Sequence, residues 1–383
     1  MIKFTEEHEM VRQMVRDFAQ KEMAPIAQDI DEKERFPAEV FKKMAELNLL
    51  GLPFSDQYGG AGMDLISYTI TLEEMARVCA STALSYSAHV SLAASPIDLF
   101  GTEEQKVKYL TPLASGEKIG SFGLTEPNAG SDAGGIQTTA RREGGFFYLN
   151  GSKMWITNAE VADIFVVAAL TDKESGRRGI SNFIVERSFE GFEVGKKEKK
   201  LGMRASPTST LHFSECKVPV ENLLGTENSG YKQFLTILDG GRVGIAAQSL
   251  GIAKESLRRA MLYAQEREQF GKPIGEFQGI QFKLSDMATR IHGAELMIYN
   301  AAFRKMNGQS YIHEAGMAKL FASEIATECA NQAIQIHGGV GYTKEYDVER
   351  FWRDAKLLEI GEGTSEVQRI VIYRELLKQI DRL

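Results

Sequence analysis

Apolar residues recur at three- and four-residue steps through roughly the first 118 residues of the chain. This spacing puts the apolar side chains on one face of a helix and predicts helices over residues 6–27 and 37–50. The run Gly59-Gly60-Ala61-Gly62 and Pro96 interrupt the pattern and indicate loops or turns. We therefore expect an all-helical N-terminal domain over residues 1–118.

The apolar period shortens to two near Gly120 and stays short to about Gly225. The dipeptide Asn150-Gly151 follows an aromatic run and is typical of a hairpin turn. The β-rich runs lie at residues 146–149, 164–168, 183–185 and 211–218. The pattern predicts a central antiparallel β domain over residues 119–227 rather than a series of βαβ units.

Helical spacing returns after about Asn228 and continues to the end of the chain. Phe234, Leu238 and Ile245 begin one long predicted helix. Two further stripes are Phe282, Leu284, Met287 and Ile291, and Val367, Ile370, Val371, Tyr373 and Leu377. We therefore expect an α-helical domain over residues 228–383, and a fold that is mainly α with a central β domain.

Composition narrows the classes of protein to consider. The 383 residues are 43% hydrophobic and 25% charged, which suits a globular protein with a sizeable core. The formal net charge of −7 argues against a nucleic-acid binder, although a few local Arg or Lys residues could still hold a small anionic ligand.

Cysteines and histidines are scattered and form no metal-ligand spacing. The three cysteines include no Cys-x-x-Cys pair, and the six histidines include no His-Glu-x-x-His, so we expect no metal site. The charged N-terminus resembles neither a signal nor a transit peptide, and no run approaches the roughly 18 apolar residues of a membrane span. The expected location is the cytoplasm, or the mitochondrial matrix if the chain is a processed eukaryotic protein.

Three common catalytic or nucleotide-binding motifs are absent from the sequence. It contains no Gly-x-Gly-x-x-Gly behind a predicted strand, no Gly-x-x-x-x-Gly-Lys-Ser/Thr and no Gly-x-Ser-x-Gly. Rossmann dehydrogenases, P-loop NTPases and α/β-hydrolases are therefore disfavoured.

Two segments of the β domain could hold a flat, anionic ligand. Residues 122–132 (FGLTEPNAGSD) form a Gly-rich turn with hydroxyls and backbone donors, or an ordinary hairpin turn. Residues 154–159 (MWITNA) put Trp155 beside Thr157 at a predicted strand end, where the indole could flank a ring or belong to the core.

Four segments of the helical domain carry further candidates. Asp239 and Arg242 lie on one face of a predicted helix, where they could bind a ligand or form a surface ion pair. Residues 267–274 interrupt a predicted helix. Arg267 at this break could bind a phosphate, or the segment could be an ordinary turn between two helices. Residues 335–342 are a Gly-rich helix exit. In residues 361–368 (GEGTSEVQ), Glu362 stands between two glycines at an exposed turn, or simply precedes an N-cap.

Taken together and in this order, the six segments resemble the acyl-CoA dehydrogenase family, and most of all its short-chain, butyryl-CoA-like members. The resemblance implies an N-terminal helical domain, a central antiparallel β-barrel or sandwich and a C-terminal four-helix bundle. It also implies a homotetramer in fatty acid β-oxidation whose FAD sites are completed by a neighbouring subunit.

The resemblance assigns roles to individual positions. By similarity, Thr157 lies near the reactive flavin nitrogen. Residues Phe122, Leu124, Thr125, Gly130, Ser131, Trp155, Ile156 and Thr157 would hold the flavin. Residues Arg267, Phe270, Gln278, Gln335, Gly338, Gly339, Thr364 and Glu366 would bind the rest of FAD, some of them in a partner subunit. Residues Ser131, Asp239, Arg242 and Gly363 would contact the acyl-CoA.

The resemblance also implies the chemistry. Glu362 would remove the α-proton of an acyl-CoA thioester while the β-hydride passes to FAD, giving a trans-2-enoyl-CoA. A flavin ribityl hydroxyl and the backbone N–H of the base would stabilise the developing enolate. In isovaleryl-type and long-chain members the base lies on the helix near Asp239; here Gly240 and Gly241 offer no side chain, which favours Glu362.

Substrate and acceptor are less defined by sequence. A short- or medium-chain, straight or branched acyl group is expected. Glutaryl-type members place an Arg at the far end of the pocket, and this chain has none between Arg77 and Arg141, which makes a dicarboxylyl group less favoured. A cyclic acyl group, an oxidase-type flavoenzyme and a non-enzymatic binder remain alternatives. Asp98 lies near the expected pocket, or is a solvated helix residue. By similarity, the electron acceptor is electron-transferring flavoprotein.

Overall fold

The computed structural model describes residues 3–378 and residue 380. Its N-terminal part is helical, as predicted. The helices are α1 (Glu6–Phe18), α2 (Ala27–Glu32), α3 (Ala38–Glu46), α4 (Leu65–Ala76), α5 (Ala80–Ser87), α6 (Ser95–Phe100), α7 (Glu103–Gln105) and α8 (Thr111–Ala114). Short π- and 3₁₀-helical turns over residues 19–26 and 88–94 connect some of these helices without a break.

Side-chain caps explain where two of these helices start. Thr5 accepts a hydrogen bond from the backbone of His8, and the His8 ring accepts one from the backbone of Thr5, so α1 begins with a reciprocal cap. Asp64 accepts from the backbone N–H of Ser67 at the start of α4. Every residue of α4 except Leu65 is buried, so this helix lies inside the molecule.

The central part is a sheet. Its strands are β1 (Gly120–Gly123), β2 (Thr139–Glu143), β3 (Phe146–Thr157), β4 (Ile164–Leu170), β5 (Ile180–Glu186), β6 (Phe192–Lys197), β7 (Thr208–Pro219) and β8 (Leu223–Leu224). They are ordered β6-β7-β3-β2-β4-β5-β8, with β1 beside β4. Most neighbours are antiparallel, but β1 pairs with β4 in parallel, and Thr139 pairs with Leu170 in parallel. The sheet is therefore less uniformly antiparallel than predicted.

The hairpin turn predicted at Asn150-Gly151 is wrong. Both residues lie inside β3, where the register against β7 shifts between Leu149 and Gly151. Gly151 has φ +144°, and a Cβ there would lie 2.5 Å from Oγ1 of Thr138. Gly151 therefore lies in a β-bulge where Thr138 leaves no room for a side chain. The turn between β2 and β3 is made instead by residues 144 and 145.

The C-terminal part is helical, as predicted. Its helices are α9 (Gly230–Glu266), α10 (Gln278–Met306), α11 (Ile312–His337), α12 (Val348–Leu358) and α13 (Ser365–Leu377). Between α9 and α10 lies a two-stranded ribbon of β9 (Glu268–Gln269) and β10 (Lys272–Pro273). The 37-residue α9 packs against α4, α10 and α11, so it forms the axis between the two helical parts. None of the described helices is long and apolar enough to cross a membrane.

A buried ionic cluster ties α1, α4, α9 and α10 together. Both carboxylate oxygens of Glu73 are used: Oε1 lies 2.8 Å from Nζ of Lys254, and Oε2 accepts from the Tyr299 hydroxyl at 2.6 Å. Arg12 adds a second positive charge 3.5 Å away. Burial raises the pKa of Glu73, but Lys254 and Arg12 outweigh it and hold the pKa below its usual value. The carboxylate therefore stays ionised at neutral pH.

We expect Glu73→Gln to lower the free energy of unfolding at pH 7 by about 2 kcal/mol, because the cluster would lose the buried carboxylate that Lys254 and Arg12 share, leaving Lys254 with Glu295 and Arg12 with Glu74. Glu39→Gln is the matched control, since Glu39 pairs with Arg35 at the surface, and it should cost less than about 1 kcal/mol. Urea denaturation measures both variants. Equal losses would show that the Glu73 cluster does not hold the helices together.

Candidate active site

The turn between α12 and α13 holds Glu362 in an uncommon backbone conformation. Glu362 has φ +52° and Gly363 has φ +93°, both in the left-handed region that L-residues with side chains avoid. Thr364 then caps α13 by accepting from the backbone N–H of Val367, so the predicted N-cap is present, two residues after Glu362. A left-handed glutamate costs of order 1–3 kcal/mol, so surrounding contacts must hold it.

The carboxylate of Glu362 points inward, against α9. A Cβ built at Gly241 would lie 2.0 Å from Oε2 of Glu362, so only glycine leaves room for this contact. Glu362 is partly exposed as a residue, yet its Oε2 atom is buried and has no hydrogen-bond partner among the described residues. The turn is at the surface, as expected, but its acidic group is not.

The surroundings of this carboxylate favour its protonated form. Burial raises the pKa of Glu362 to about 7, and the nearby positive charges of Lys319 and Arg242 oppose the rise without cancelling it. A buried carboxyl that titrates near neutral pH and has an unpartnered oxygen is suited to accept a proton from a ligand.

Asp239 and Arg242 lie one turn apart on α9, next to Gly241. Nη1 of Arg242 donates to Oδ1 of Asp239 at 2.6 Å, and Arg242 is only 6% exposed. Its Nε is buried with no partner among the described residues. Burial raises the pKa of Asp239 despite the opposing charge of Arg242. The interpretation as a surface ion pair is therefore wrong.

Hydroxyl and apolar groups from the N-terminal helices face the same part of α9. A Cβ built at Gly244 would lie 3.1 Å from Leu72 and 3.5 Å from Oγ of Ser87. The Tyr68 hydroxyl donates to Ser87 at 3.3 Å. The sequence analysis did not single out Tyr68, Leu72 and Ser87, because nothing in their local pattern indicates that α4 and α5 pack beside Gly244.

Asp98, the other acid considered near the expected pocket, is half-buried on α6, and burial raises its pKa.

The β-domain candidates lie together where β1 and β3 end. Trp155 is 56% exposed with φ +60°, and Thr157 is the last residue of β3. The Met154 N–H donates to the Thr125 carbonyl at 2.8 Å, which joins the two candidate segments. Leu124 and Ile156 are buried, so only their backbone groups can reach a ligand. Phe122 is part-buried, and Ser131 is exposed beside Gly130, where a Cβ would meet nothing within 4 Å.

This arrangement fits one face of a flavin ring. An exposed indole beside a strand end offers a flat apolar wall, and the open space at Gly130 leaves room for the close approach of a ligand. A buried ion pair supports the loop from beneath: Nζ of Lys153 lies 2.7 Å from Oε1 of Glu126 and also donates to the Leu124 carbonyl.

Six of the other cofactor candidates lie at the opposite end of the bundle. The stacked rings of Tyr263 and His337, 4.3 Å apart, bring the ends of α9 and α11 together. The candidates at this end, all of them exposed, are Arg267, Phe270, Gln278, Gln335, Gly338 and Gly339. At a rise of 1.5 Å per residue, α9 carries Arg267 roughly 40 Å from Gly241. Thr364 and Glu366, in contrast, directly follow Glu362. One chain therefore does not gather all the candidates into one site.

Comparison with known proteins identifies the family. Residues 5–117, 121–216 and 228–377 match the N-terminal, middle and C-terminal domains of acyl-CoA dehydrogenases. The short-chain-specific acyl-CoA dehydrogenase of Clostridium acetobutylicum is 52% identical over 98% of this chain and 99% of its own.

Two solved structures have the same fold. Butyryl-CoA dehydrogenase of Megasphaera elsdenii is 45% identical, with a TM-score of 0.96 over 98% of this chain and all of its own. A chain from a structure of the electron transferring flavoprotein of Acidaminococcus fermentans is 48% identical, with a TM-score of 0.97 over 99% of this chain and all of its own. These matches cover all three parts of the fold, and the chain belongs to the acyl-CoA dehydrogenase family of FAD oxidoreductases.

Proposed function

We propose that this enzyme converts a short- or medium-chain acyl-CoA to the trans-2-enoyl-CoA, with FAD as cofactor and Glu362 as the base. The observation that carries the assignment is the buried, unpartnered Oε2 of Glu362, next to a helix position that tolerates no side chain. Its pKa of about 7 suits a group that must be ionised before reaction and protonated after it.

The residues of the chain would do three things. Oε2 of Glu362 would take the α-proton. The backbone N–H of Glu362, which donates no hydrogen bond to another described residue, would be free to bind the thioester oxygen and stabilise an enolate. Ser131, Asp239, Arg242 and Gly363 would hold the rest of the thioester, with the unpartnered Nε of Arg242 as one donor. FAD, when bound, supplies the hydride acceptor.

We also propose that two subunits complete each FAD site. Phe122, Trp155 and Thr157 would hold the flavin near Glu362 of their own chain, whereas Arg267, just after α9, and Gln278, at the start of α10, lie at the far end of the bundle and would not reach it. Those two residues, with the rest of the exposed group at their end of the bundle, would serve the site of a neighbour in a homotetramer.

The partner, location and domain limits complete the proposal. Electron-transferring flavoprotein would accept the electrons, in line with the 48% identity to a chain from a structure of such a flavoprotein. The close bacterial relative supports a cytoplasmic location. Domain limits near residues 118 and 227 agree with the gaps between α8 and β1 and between β8 and α9.

Anaerobic titration of the purified holoenzyme tests the function. We expect short straight or branched acyl-CoAs to bleach the flavin absorbance, and glutaryl-CoA to bleach it poorly, because no Arg stands between Arg77 and Arg141 to meet a second carboxylate. The panel runs from acetyl to palmitoyl and includes isovaleryl, glutaryl and cyclohexanecarbonyl thioesters. A flavin that no thioester bleaches would refute dehydrogenation. Stoichiometric peroxide in air would indicate an oxidase.

We expect Glu362→Gln to retain FAD and acyl-CoA binding but to lose at least about a thousandfold in the rate of flavin reduction, because an amide cannot accept the proton. In the wild type that rate should rise with pH through an apparent pKa near 7, as the carboxyl ionises. Stopped-flow absorbance measures both. Substantial reduction by the variant would remove Glu362 from the mechanism.

We expect Gly241→Ala to slow flavin reduction about a hundredfold, because the new Cβ would displace Oε2 of Glu362 by an ångström or more. Gly240→Ala is the matched control. Its Cβ would approach only Nζ of Lys305, the mobile end of a long side chain, so the rate should change by less than about threefold. Equal rates in the two variants would show that the Gly241 contact is not needed.

A further inference from the structure

A fully buried lysine lies beneath the Glu362 turn. Lys319, on α11, is 0% exposed, and its Nζ donates to the Gly363 carbonyl at 2.7 Å. No carboxylate of the described residues forms a salt bridge with it. Buried charges are normally paired, because removing an ion from water costs several kcal/mol. An unpaired buried ammonium therefore needs a reason to be there.

The hydrogen bond from Lys319 acts on the backbone that directs Glu362. The Gly363 carbonyl also accepts from Nε2 of Gln368 at 3.0 Å, and the Glu362 carbonyl lies 3.3 Å from the same nitrogen. These donors fix the two consecutive left-handed residues and hence the direction of the carboxylate. Gln368 supplies hydrogen bonds alone, whereas Lys319 supplies a hydrogen bond and a charge.

Of the two positive charges that face Glu362, only Lys319 has no carboxylate in a salt bridge with it among the described residues. From α9, Arg242 also faces the carboxylate, but Asp239 neutralises it at 2.6 Å. From α4, Tyr68 is a neutral neighbour. Glu359 and Glu366, on either side of the turn, act on Lys319 as more distant negative charges. Burial lowers the pKa of Lys319 to about 8, with Glu362 the main opposing influence, so the ammonium form still dominates at neutral pH.

We propose that Lys319 is the positioning residue of the base: it holds the Glu362–Gly363 turn through the Gly363 carbonyl and supplies an unshared positive charge that favours the ionised form of the buried Glu362 carboxylate. This inference rests on the proposed role of Glu362. Without the charge, burial would shift Glu362 further toward its protonated form at neutral pH, and a protonated carboxyl cannot accept the α-proton.

Three substitutions separate charge from hydrogen bonding. Lys319→Met removes both, Lys319→Gln offers a neutral donor, and Lys319→Arg keeps the charge. We expect the acid limb of the pH profile for flavin reduction to move up by at least about one pH unit in the Met and Gln variants, with a rate loss of at least about fivefold at pH 7. Lys319→Arg should keep the limb within about half a unit of wild type.

Infrared spectroscopy of the holoenzyme supplies a readout that does not depend on turnover. The pH-difference spectrum reports the carbonyl band of a protonated, buried carboxylic acid, and Glu362→Gln identifies which band belongs to Glu362. In Lys319→Gln this band should persist to higher pH than in the wild type. Lys254→Met is the control for loss of a part-buried lysine elsewhere: it should lower the unfolding temperature and leave the Glu362 band unchanged.

The outcomes are distinct. A Glu362 band and a pH limb in Lys319→Gln that coincide with those of the wild type would overturn the proposal. If no thioester reduces the flavin, the proposed function fails, while the infrared titration still tests the effect of Lys319 on Glu362. If Lys319→Met does not fold, Lys319→Gln and Lys319→Arg carry the comparison, since both keep a donor for Gly363.

Discussion

The contact between a carboxylate and a bare stretch of helix is the constraint on which the site depends. Glu362 can turn inward only because Gly241 of α9 has no side chain, and Lys319 of α11 holds the turn in this direction through the Gly363 carbonyl. Low solvent access then makes the carboxyl a better proton acceptor than a surface glutamate. Packing geometry and acid–base chemistry are therefore set by the same few atoms.

Several parts of the fold could be predicted because they depend on local periodicity. The change from helical spacing to alternation near Gly120, and back near Asn228, gave the correct order of helical and β parts. The local turn signal at Asn150-Gly151 failed, because a glycine that permits a hairpin also permits a bulge inside a strand. Local preference alone does not decide between the two.

The candidate site shows the same division. The glycines around Glu362 and the glycine pair on α9 drew attention to two segments that meet in the structure, but neither predicted the contact, since the segments are about 120 residues apart. The only mark of Lys319 in the sequence is its position inside the apolar run of residues 315–322, which would suggest a buried lysine. Its contact with the Gly363 carbonyl depends on the packing of α11 against the turn.

The raised pKa of Glu362 has a thermodynamic consequence for the whole fold. Between roughly pH 4.5 and 7 the native carboxyl keeps a proton that the unfolded chain has already lost, so the native state loses stability as pH rises through this window. Above pH 7 the accumulated loss is roughly 3 kcal/mol, a sizeable part of the net stability of a typical domain. The environment that makes this carboxyl a base therefore lowers the folding stability of the protein, and the buried clusters elsewhere must offset that loss.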